Sequence, residues 1–342
     1  VCAMQDIDDR SLLRTLSREL ADRHALVVEG DTLRINRQRV TRFHFAHNLF
    51  QQYLYHSISR GERMYLHADV GDALEQLYDE RRDSVALQLA HHFALAEEWE
   101  RAVPYFITAA ERALKVSSYE NALDFLRTAL EHVDELPPED VDDRRLEILL
   151  STGGVQQALK GFTHPDVEAV FAQAAELAPE VSRPMLAASA LYGLWTAALF
   201  RLELQKAESL GEQIQRIGAA SAEPVAQLVA SRALANSYYQ EGKLVETVEH
   251  ARRVVGHYDA ERVEDYLVHL TYDPKIFCLG LLAWAQSLQG EMEQARASKR
   301  EMFDAAEKLN HPVSTCVAHL LSLIHISEPT RRACRSRMPS SA

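Results

Sequence analysis

Histidine pairs are the residues of this chain best suited, by type and spacing, to bind a metal ion. His44 and His47 are three positions apart, and His91 and His92 are adjacent. A zinc site needs several ligands that converge with fixed geometry. No cysteine or carboxylate completes a ligand set at motif spacing, and H-E-x-x-H is absent. We therefore expect no metal site.

Carboxylates are densest in the segment ELPPEDVDD, residues 135–143. Such a run could suggest calcium binding or acid–base catalysis. However, Glu139, Asp140, Asp142 and Asp143 have neither the spacing of an EF-hand nor a pattern that would pair two of them. The run predicts a solvated acidic loop.

Motifs for nucleophilic catalysis and phosphate binding are missing. G-x-S-x-G does not occur, and Gly153-Gly154 lacks the Gly-Lys that would complete a phosphate loop. The four cysteines are far apart, which favours neither a zinc site nor a disulfide framework and fits a reducing, cytoplasmic setting. A catalytic set dispersed along the chain would not be visible in one sequence. We predict that this chain is not an enzyme and holds no cofactor.

The charge balance and the apolar stretches limit the partners. The net charge is −13, from 37 basic and 50 acidic residues, so we expect no direct contact with nucleic acid. The longest apolar stretches, residues 186–200 and 276–288, are shorter than the ~20 residues that span a bilayer. They predict buried helices and no membrane partner. No charged-then-apolar leader follows Val1.

Residues 1–60 predict a mixed segment of helices and strands. Ser11 is placed to cap a helix over residues 12–24, and another helix is expected over 46–59. Three strands are expected, at residues 25–28, 32–36 and 40–45, with a turn at 29–31. Helix, hairpin and helix form the end of a winged-helix domain. We interpret residues 1–60 as a partial winged helix.

From residue 61 onward, apolar residues recur with helical spacing and one frame returns. In its first copy, Trp99 is followed three positions later by Ala102. In its second copy, Tyr119 is followed by Ala122. Weaker copies begin at Leu204, Leu244 and Met292, the last two after Gly242 and Gly290 in expected tight turns. The small residue would let a neighbouring helix approach closely.

Most copies of the frame follow an apolar partner helix. These partners cover residues 85–95, 186–200, 225–239 and 276–288. Helix pairs that recur every ~34–48 residues are typical of an α-solenoid, because single pairs cannot bury their apolar faces alone. We predict an all-α fold, a tetratricopeptide-like α-solenoid over residues 61–320. A plain helical bundle with chance periodicity is the alternative.

Four aromatic residues and one long connecting segment also bear on the predicted repeats. Trp99, Tyr119, Trp195 and Trp284 lie on helical apolar faces, where core packing is the default. Residues 257–273 are longer than a turn between helices requires, and Pro274 is expected to start the next helix. We interpret this segment as an insertion between repeats, where partner contacts often lie.

Several short stretches resemble landmarks of bacterial STAND-class ATPase regulators, which have an AAA-type core. FHFAHNLFQQYLY, residues 43–55, resembles the motif that closes their winged-helix region, as does LAHHF, residues 89–93, followed by WERA. GFTHP, residues 161–165, and YDP, residues 272–274, resemble landmarks of their tetratricopeptide half. The resemblance covers roughly residues 10–320.

The resemblance implies a parent protein in which an ATPase core precedes the winged helix and the repeats. Many such regulators carry an adenylate or guanylate cyclase domain or a transcriptional-activator domain upstream. The parent would bind ATP or ADP. This chain would be a protein-interaction and ligand-sensing scaffold in signal transduction. It would hold a protein partner or a small ligand in the solenoid groove and regulate the ATPase core in cis.

His47 is the one residue that the resemblance places near a cofactor. In these regulators the winged helix folds back onto the nucleotide, and a histidine there can sense the phosphates. The alternative is a histidine that caps or packs against the start of a helix. The hairpin itself is basic, through Arg34, Arg37, Arg39 and Arg42. We prefer a solvated wing, or one against the ATPase core, to a wing that contacts DNA phosphates.

Residues 321–342 resemble a sequence of different origin. LSLIHISEPTR, residues 321–331, resembles a translated sequencing adapter, and SRMPSSA, residues 336–342, resembles the flow-cell primer that follows it. We predict that the natural sequence stops near Leu320 and that this Ser/Pro/Arg-rich tail is disordered. Its arginines are therefore not interpreted as a nucleic-acid patch.

Three classes of parent stay open on the sequence alone. The first is a signalling ATPase linked to a nucleotide cyclase. The second is a transcriptional regulator with a DNA-binding domain elsewhere. The third is a stand-alone tetratricopeptide adaptor. The upstream reading frame separates them, since each class has its own upstream domain or none.

Overall fold

The computed structural model describes residues 8–35, 38–178, 183–221 and 223–323. Contacts between Cα atoms divide the chain into two compact units, Val1–Val155 and Gln156–Ala342. Each unit has its own cluster of buried apolar side chains. Each is therefore stabilised by a separate apolar core.

The first described helix, α1, covers Asp9–Arg14 and continues as a π-helix over Thr15–Arg23. The Asp8 side chain accepts a hydrogen bond from Ser11 N at 3.0 Å and caps this helix. The prediction that Ser11 is the cap was wrong. Asp8 lies three residues before Ser11 and offers a carboxylate oxygen to a backbone N–H of the first helical turn, and Asp caps as well as Ser does.

A two-stranded antiparallel hairpin follows, with β1 over Val27–Ile35 and β2 over Gln38–Phe45. The predicted turn at residues 29–31 was wrong, as were separate strands on either side of it. Glu29 pairs with Phe43 and Thr32 with Thr41, so three steps along β1 match two along β2. This is a β-bulge around Gly30, and β1 runs through it. Residues 36–37, between the two strands, lie outside the described residues.

Two helices connect the hairpin to the repeats. Helix α2 covers Asn48–Ser57, within the predicted span, and α3 covers Arg60–Tyr78. Ser59 caps α3, since its hydroxyl accepts a hydrogen bond from Glu62 N at 3.3 Å. A 3-10 turn over Asp79–Val85 leads from α3 to the next helix.

Four further helices follow in unit 1, and two of them begin at the predicted frame residues Trp99 and Tyr119. They are α4 over Ala86–Leu95, α5 over Trp99–Lys115, α6 over Tyr119–Glu131 and α7 over Pro138–Lys160, which continues into unit 2. Ala102 and Ala122 are fully buried, as the frame requires. The acidic-loop prediction was wrong, because Glu139 and the carboxylates after it lie in α7. Acidic residues after an initial proline suit a helix N-terminus, where the helix dipole favours negative charge.

The described part of unit 2 contains three helix pairs and three further helices. Its helices are α8 over Pro165–Leu177, α9 over Pro184–Phe200, α10 over Leu204–Ser221, α11 over Pro224–Gln240, α12 over Leu244–Gly256, α13 over Val263–Leu270, α14 over Pro274–Leu288, α15 over Met292–Leu309 and α16 over Pro312–Leu323. The pairs are α9 with α10, α11 with α12, and α14 with α15. The first helices also contact one another, α9 with α11 and α11 with α14. We call these three the first-helix layer.

The segment predicted as an insertion contains helix α13, preceded by a 3-10 turn over Ala260–Arg262. Pro274 starts α14, as predicted. No helix in the described part of the chain is long and apolar enough to cross a membrane. Residues 321–323 of the predicted disordered tail are the end of α16, and Leu321 is 5% exposed, so the prediction was wrong for these three residues. Residues 324–342 lie outside the described residues, and the origin and disorder of the tail there stay predictions.

The five turns that precede the frame helices share one conformation. The residue two positions before each of these helices has a positive φ; these residues are Glu97, Ser117, Leu202, Gly242 and Gly290. The N–H of the next residue donates to the carbonyl five positions earlier, at 2.8–2.9 Å in all five turns. This is the Schellman arrangement, which satisfies carbonyl groups at a helix end.

Leu202→Gly should raise the free energy of unfolding by about 1 kcal/mol, because glycine adopts positive φ without strain. Leu202 has a φ of 61° and is 71% exposed, so the change removes little packing. Gly242→Leu, at a φ of 75°, should lower the stability by a similar amount. Urea unfolding of both variants measures the effects. A Leu202→Gly protein that is less stable than the wild type would contradict this account.

Candidate functional site

The sequence-predicted candidate, His47, is at the N-cap position of α2. Its side chain makes no capping hydrogen bond and is exposed, with its ring centroid 5.9 Å from that of Phe50. Within the described ranges, no group of three or more His, Cys, Asp or Glu side chains could hold a metal ion. Burial raises the pKa of the Cys278 thiol to about 12, so this cysteine stays protonated and is a poor nucleophile.

A histidine contact in unit 1 joins one predicted residue to one that sequence reasoning missed. Nδ1 of His92 in α4 is 3.0 Å from Nδ1 of His67 in α3. Tyr55 Oη is 3.1 Å from Nε2 of His67. One imidazole must donate and the other accept, so at least one ring is neutral. Burial lowers the pKa of both histidines, and the charge of Arg63 lowers that of His67 further.

Unit 1 should therefore lose stability as the pH falls below 6.5, the ordinary pKa of histidine. The unfolded chain binds protons first, so the stabilisation is complete above that pH and is lost as the pH falls toward the lowered pKa of the folded state. His92→Gln should flatten this dependence because glutamine does not titrate. Melting temperatures at about pH 7.5 and about pH 5.5 measure it.

The adjacent exposed His91 provides the control. His91→Gln should keep most of the pH dependence of the melting temperature, because burial, the largest cause of the lowered pKa of His92, is unchanged and only the smaller effect of the charge of His91 is lost. If the His92→Gln protein is as sensitive to pH as the His91→Gln protein, the histidine contact does not cause the dependence.

Arg101, a half-buried cation in unit 1, is surrounded by carboxylates. Its guanidinium lies 2.7 Å from Asp72 Oδ1, 2.7 Å from Glu75 Oε2 and 2.9 Å from Glu98 Oε2. It also lies over the ring of Phe93, 3.8 Å from the centroid. Three carboxylates and an aromatic face satisfy this arginine, which ties α3 to α5.

Arg232, in the first-helix layer of unit 2, has a different environment. It is 1% exposed and lies in the middle of α11, where it is the one charged residue of the helix. Its Nη1 donates to the hydroxyl of Tyr192 in α9, and its Nη2 donates to the hydroxyl of Tyr272, two residues before α14. The guanidinium also lies 4.5 Å from the ring centroid of Phe277. The cluster therefore joins all three first helices around one cation.

The carboxylate of Asp273 is buried next to Tyr272 and is bonded to other donors. Its Oδ1 accepts from Ile276 N at 2.9 Å and caps α14. Its Oδ2 accepts from Tyr258 Oη at 2.5 Å, and burial together with this bond raises the pKa of Tyr258. No ion pair within 4 Å joins Asp273 to Arg232, both of which the structure describes.

A second feature of unit 2 is an open pocket of about 580 Å³ between α8, α9 and α10. Small apolar side chains such as Ala175, Ala187 and Leu191 form most of its wall. Gln213 and the exposed Arg216 are its longest polar side chains. A volume of this size is in the range that small organic ligands occupy.

A signal for the Arg232 cluster exists in the sequence. Tyr192 is eight residues after Pro184 (192 − 184), and Arg232 is eight residues after Pro224 (232 − 224). The two side chains thus occupy the same position in successive repeats. A charged residue at the same position as a half-buried tyrosine, on a helix with no other charge, marks a site. Our sequence reasoning interpreted residues 225–239 only as a buried helix and missed it.

No protein-family model matches the sequence. An uncharacterized protein of Rhizobium meliloti (strain 1021), R02095, is 26% identical over 330 residues. The aligned region covers 92% of this chain and 31% of that protein. The chain therefore spans less than a third of the length of this relative.

Three solved structures share the fold. The apo form of RapI has a TM-score of 0.54 at 11% identity, covering 84% of this chain and 77% of that one. BtubC (BKLC) of P. vanneervenii has a TM-score of 0.52 at 15% identity, covering 68% and 91%. The STAND protein PH0952 of Pyrococcus horikoshii, which has a tetratricopeptide repeat sensor, has a TM-score of 0.52 at 12% identity, covering 82% and 44%. The fold is thus a tetratricopeptide-like helical solenoid, which confirms the predicted class.

Proposed function

We propose that this chain is the ligand-sensing, protein-interaction module of a larger bacterial signal-transduction ATPase. The observation that carries the proposal is the polar cluster around Arg232, which is buried in a layer of apolar repeat helices. Replacing a buried charge with an apolar residue often stabilises a protein, so a scaffold with no ligand gains little from keeping one. A layer that binds a peptide or protein segment gains a polar anchor from it.

The architecture of the parent rests on the resemblance and on the comparisons. PH0952 is a STAND protein with a tetratricopeptide repeat sensor, and the match covers 44% of its chain. The Rhizobium protein extends well beyond the matched region, which leaves room for an ATPase core in cis. A ligand on the repeats would regulate such a core only by binding one of its states more tightly than the other.

A peptide selection tests the sensing role. A random peptide library displayed on mRNA is selected on the purified chain, and the enriched peptides are mapped by hydrogen exchange. We expect protection of amides in α9, α11 and α14. Failure to enrich any peptide over the bare support, or protection only in unit 1, would overturn the proposed function.

His47 is our proposed contact to the nucleotide state of the parent, through its place at the start of α2. In the full-length parent, His47→Ala should change how tightly ADP is retained. Asn48→Ala, at the next position of the same helix end, is the control. Equal ADP affinity in the wild-type and His47→Ala proteins would end this assignment.

The alternative parents are a transcriptional regulator with a DNA-binding domain elsewhere and a stand-alone adaptor. The reading frame upstream of Val1 distinguishes them: cyclase metal-binding aspartates would mark a cyclase-linked ATPase, a DNA-recognition helix would mark the transcriptional regulator, and an initiating Met just upstream of Val1 would support the adaptor. We also propose that the chain alone has no catalytic activity. Hydrolysis of ATP by the purified chain would contradict this.

The open pocket beside α9 supports a second mode, in which a small ligand binds unit 2 away from Arg232. Its volume of about 580 Å³ and its apolar wall favour this mode. Ala187→Phe would fill it, whereas Ala219→Phe, on the exposed side of α10, would not. A small ligand that binds here should lose affinity only in the Ala187→Phe protein.

A further inference from the structure

We propose that the first-helix layer binds a carboxylate group of its ligand at Arg232, between Tyr192 and Tyr272. The inference deepens the proposed function and rests on it, since it names the chemistry of the group that the sensing module recognises. The inference is argued from the charges and hydrogen-bond donors around the guanidinium of Arg232.

The charge of Arg232 has no counter-ion among the described side chains. Arginine is almost never fully buried unless it is paired, and here it is 1% exposed. Arg101, which is more exposed, has three carboxylates within 3 Å. In Arg101, whose role is structural, the positive charge is thus neutralised by carboxylates in direct contact. Arg232 instead makes contact with two phenols and an aromatic ring.

The hydrogen bonds around Arg232 have an excess of donors. Its Nε is buried and has no acceptor within the described part of the chain. The hydroxyl oxygens of Tyr192 and Tyr272 accept from the guanidinium, which leaves each hydroxyl hydrogen to be donated. The described residues provide no acceptor for either hydrogen. Three donors converge around one positive charge, and an anionic acceptor would satisfy them together.

The nearby carboxylate does not fill this role. Both oxygens of Asp273 are bonded, one to Ile276 N and the other to Tyr258 Oη. To pair with Arg232, Asp273 would have to give up the cap of α14. Within the described part of the chain no acceptor is left for these donors, and we infer that a second molecule supplies it.

A carboxylate matches the site better than a phosphate does. A planar carboxylate accepts two parallel bonds from a guanidinium edge and carries one charge, equal and opposite to that of Arg232. A phosphate carries up to two charges on three oxygens and would need further donors. Tyr192 and Tyr272 are half-buried, so rotation of their side chains can admit a small group.

Acetate is the probe for the test, since it is a carboxylate that carries only a methyl group. We expect sodium acetate to raise the melting temperature of the chain by about 3 °C above sodium chloride of equal ionic strength. Arg232→Met fills a similar volume without the charge, so the variant should fold with an unchanged or higher melting temperature. It should lose the acetate response.

Three outcomes would overturn the inference. These are no acetate effect in the wild type, an equal effect in the Arg232→Met protein, and a larger effect of inorganic phosphate than of acetate. If Arg232→Met does not fold, the Tyr192→Phe,Tyr272→Phe protein replaces it, because it keeps both rings and removes two donors. The double variant should at least halve the acetate response, and an undiminished response would also overturn the inference.

The peptides from the library selection identify the source of the carboxylate. Peptides made with a free and with an amidated C-terminus are compared, and their acidic side chains are replaced by amides. At least a tenfold loss of affinity on removing one carboxylate, seen in the wild type and absent in Arg232→Met, supports the inference. Peptides that bind the layer equally well without any carboxylate would leave the proposed function standing and refute the Arg232 site.

Discussion

Trp195→Ala should lower the free energy of unfolding of unit 2 by about 3–5 kcal/mol, the range for removing a buried tryptophan. Trp195 is 2% exposed, and its ring centroid is 4.9 Å from that of Tyr192. Its Nε1 donates to Ser237 Oγ in α11 at 2.9 Å. Alanine would leave a cavity between two first helices and a fully buried hydroxyl without this donor. Urea unfolding, followed by hydrogen exchange in α9 and α11, measures the loss.

Phe200→Ala is the control on the same helix. Phe200 is also aromatic, but it is 58% exposed and stacks on the ring of the exposed Phe162, with centroids 4.8 Å apart. Its removal should cost less than about 1 kcal/mol. Equal losses from the two variants would show that the α9–α11 contact contributes little to unit 2.

The helix starts of the repeats were predictable because two local signals agree at each of them. A large residue followed by a small one marks the frame, and all five frame residues begin helices: Trp99, Tyr119, Leu204, Leu244 and Met292. Each helix follows a Schellman turn, whose geometry depends on the sequence nearby. Both signals are local, so one sequence is enough to reveal them.

The hairpin shows where local signals fail. Glu29-Gly30-Asp31 has the composition of a turn, and on local grounds a reversal there is reasonable. In the fold, pairing with β2 extends β1 on both sides of Gly30, and Val27 and Ile35 are both buried. A bulge accommodates the extra residue. Pairing with a strand that comes later in the chain decided the outcome.

The Arg232 cluster was partly visible in the repeat period and partly hidden by the insertion. Tyr192 and Arg232 share one repeat position, so stacking of successive repeats brings them together. Tyr272 lies before Pro274 and belongs to no repeat position, because residues 257–273 interrupt the period. Its contact with Arg232 depends on how α13 and the segment before α14 fold back, which the repeat pattern does not encode.

Asp273→Ala should lower the free energy of unfolding of unit 2 by about 3 kcal/mol, from the loss of a helix cap and of a buried, charged acceptor. Asp273 is 1% exposed and accepts from Ile276 N at 2.9 Å and from Tyr258 Oη at 2.5 Å. Alanine would leave both donors buried without this acceptor. Asp273→Asn keeps an oxygen at the cap position, so it should lower the free energy of unfolding by less than Asp273→Ala does. Urea unfolding of the two variants measures the difference.

Asp259→Ala is the matched control, since Asp259 also caps a helix but is exposed and begins only a 3-10 turn over Ala260–Arg262. Asp259→Ala should lower the free energy of unfolding by less than about 1 kcal/mol, and an equally small effect of Asp273→Ala would contradict the role of burial.

The Asp273 cap also holds the start of α14 beside Tyr272 and Phe277, which both contact Arg232. Asp273→Ala should therefore weaken the acetate response together with stability. Arg232→Met should abolish the acetate response without lowering stability. The two variants therefore distinguish the residue that binds the carboxylate, Arg232, from the helix cap at Asp273 that positions its neighbours.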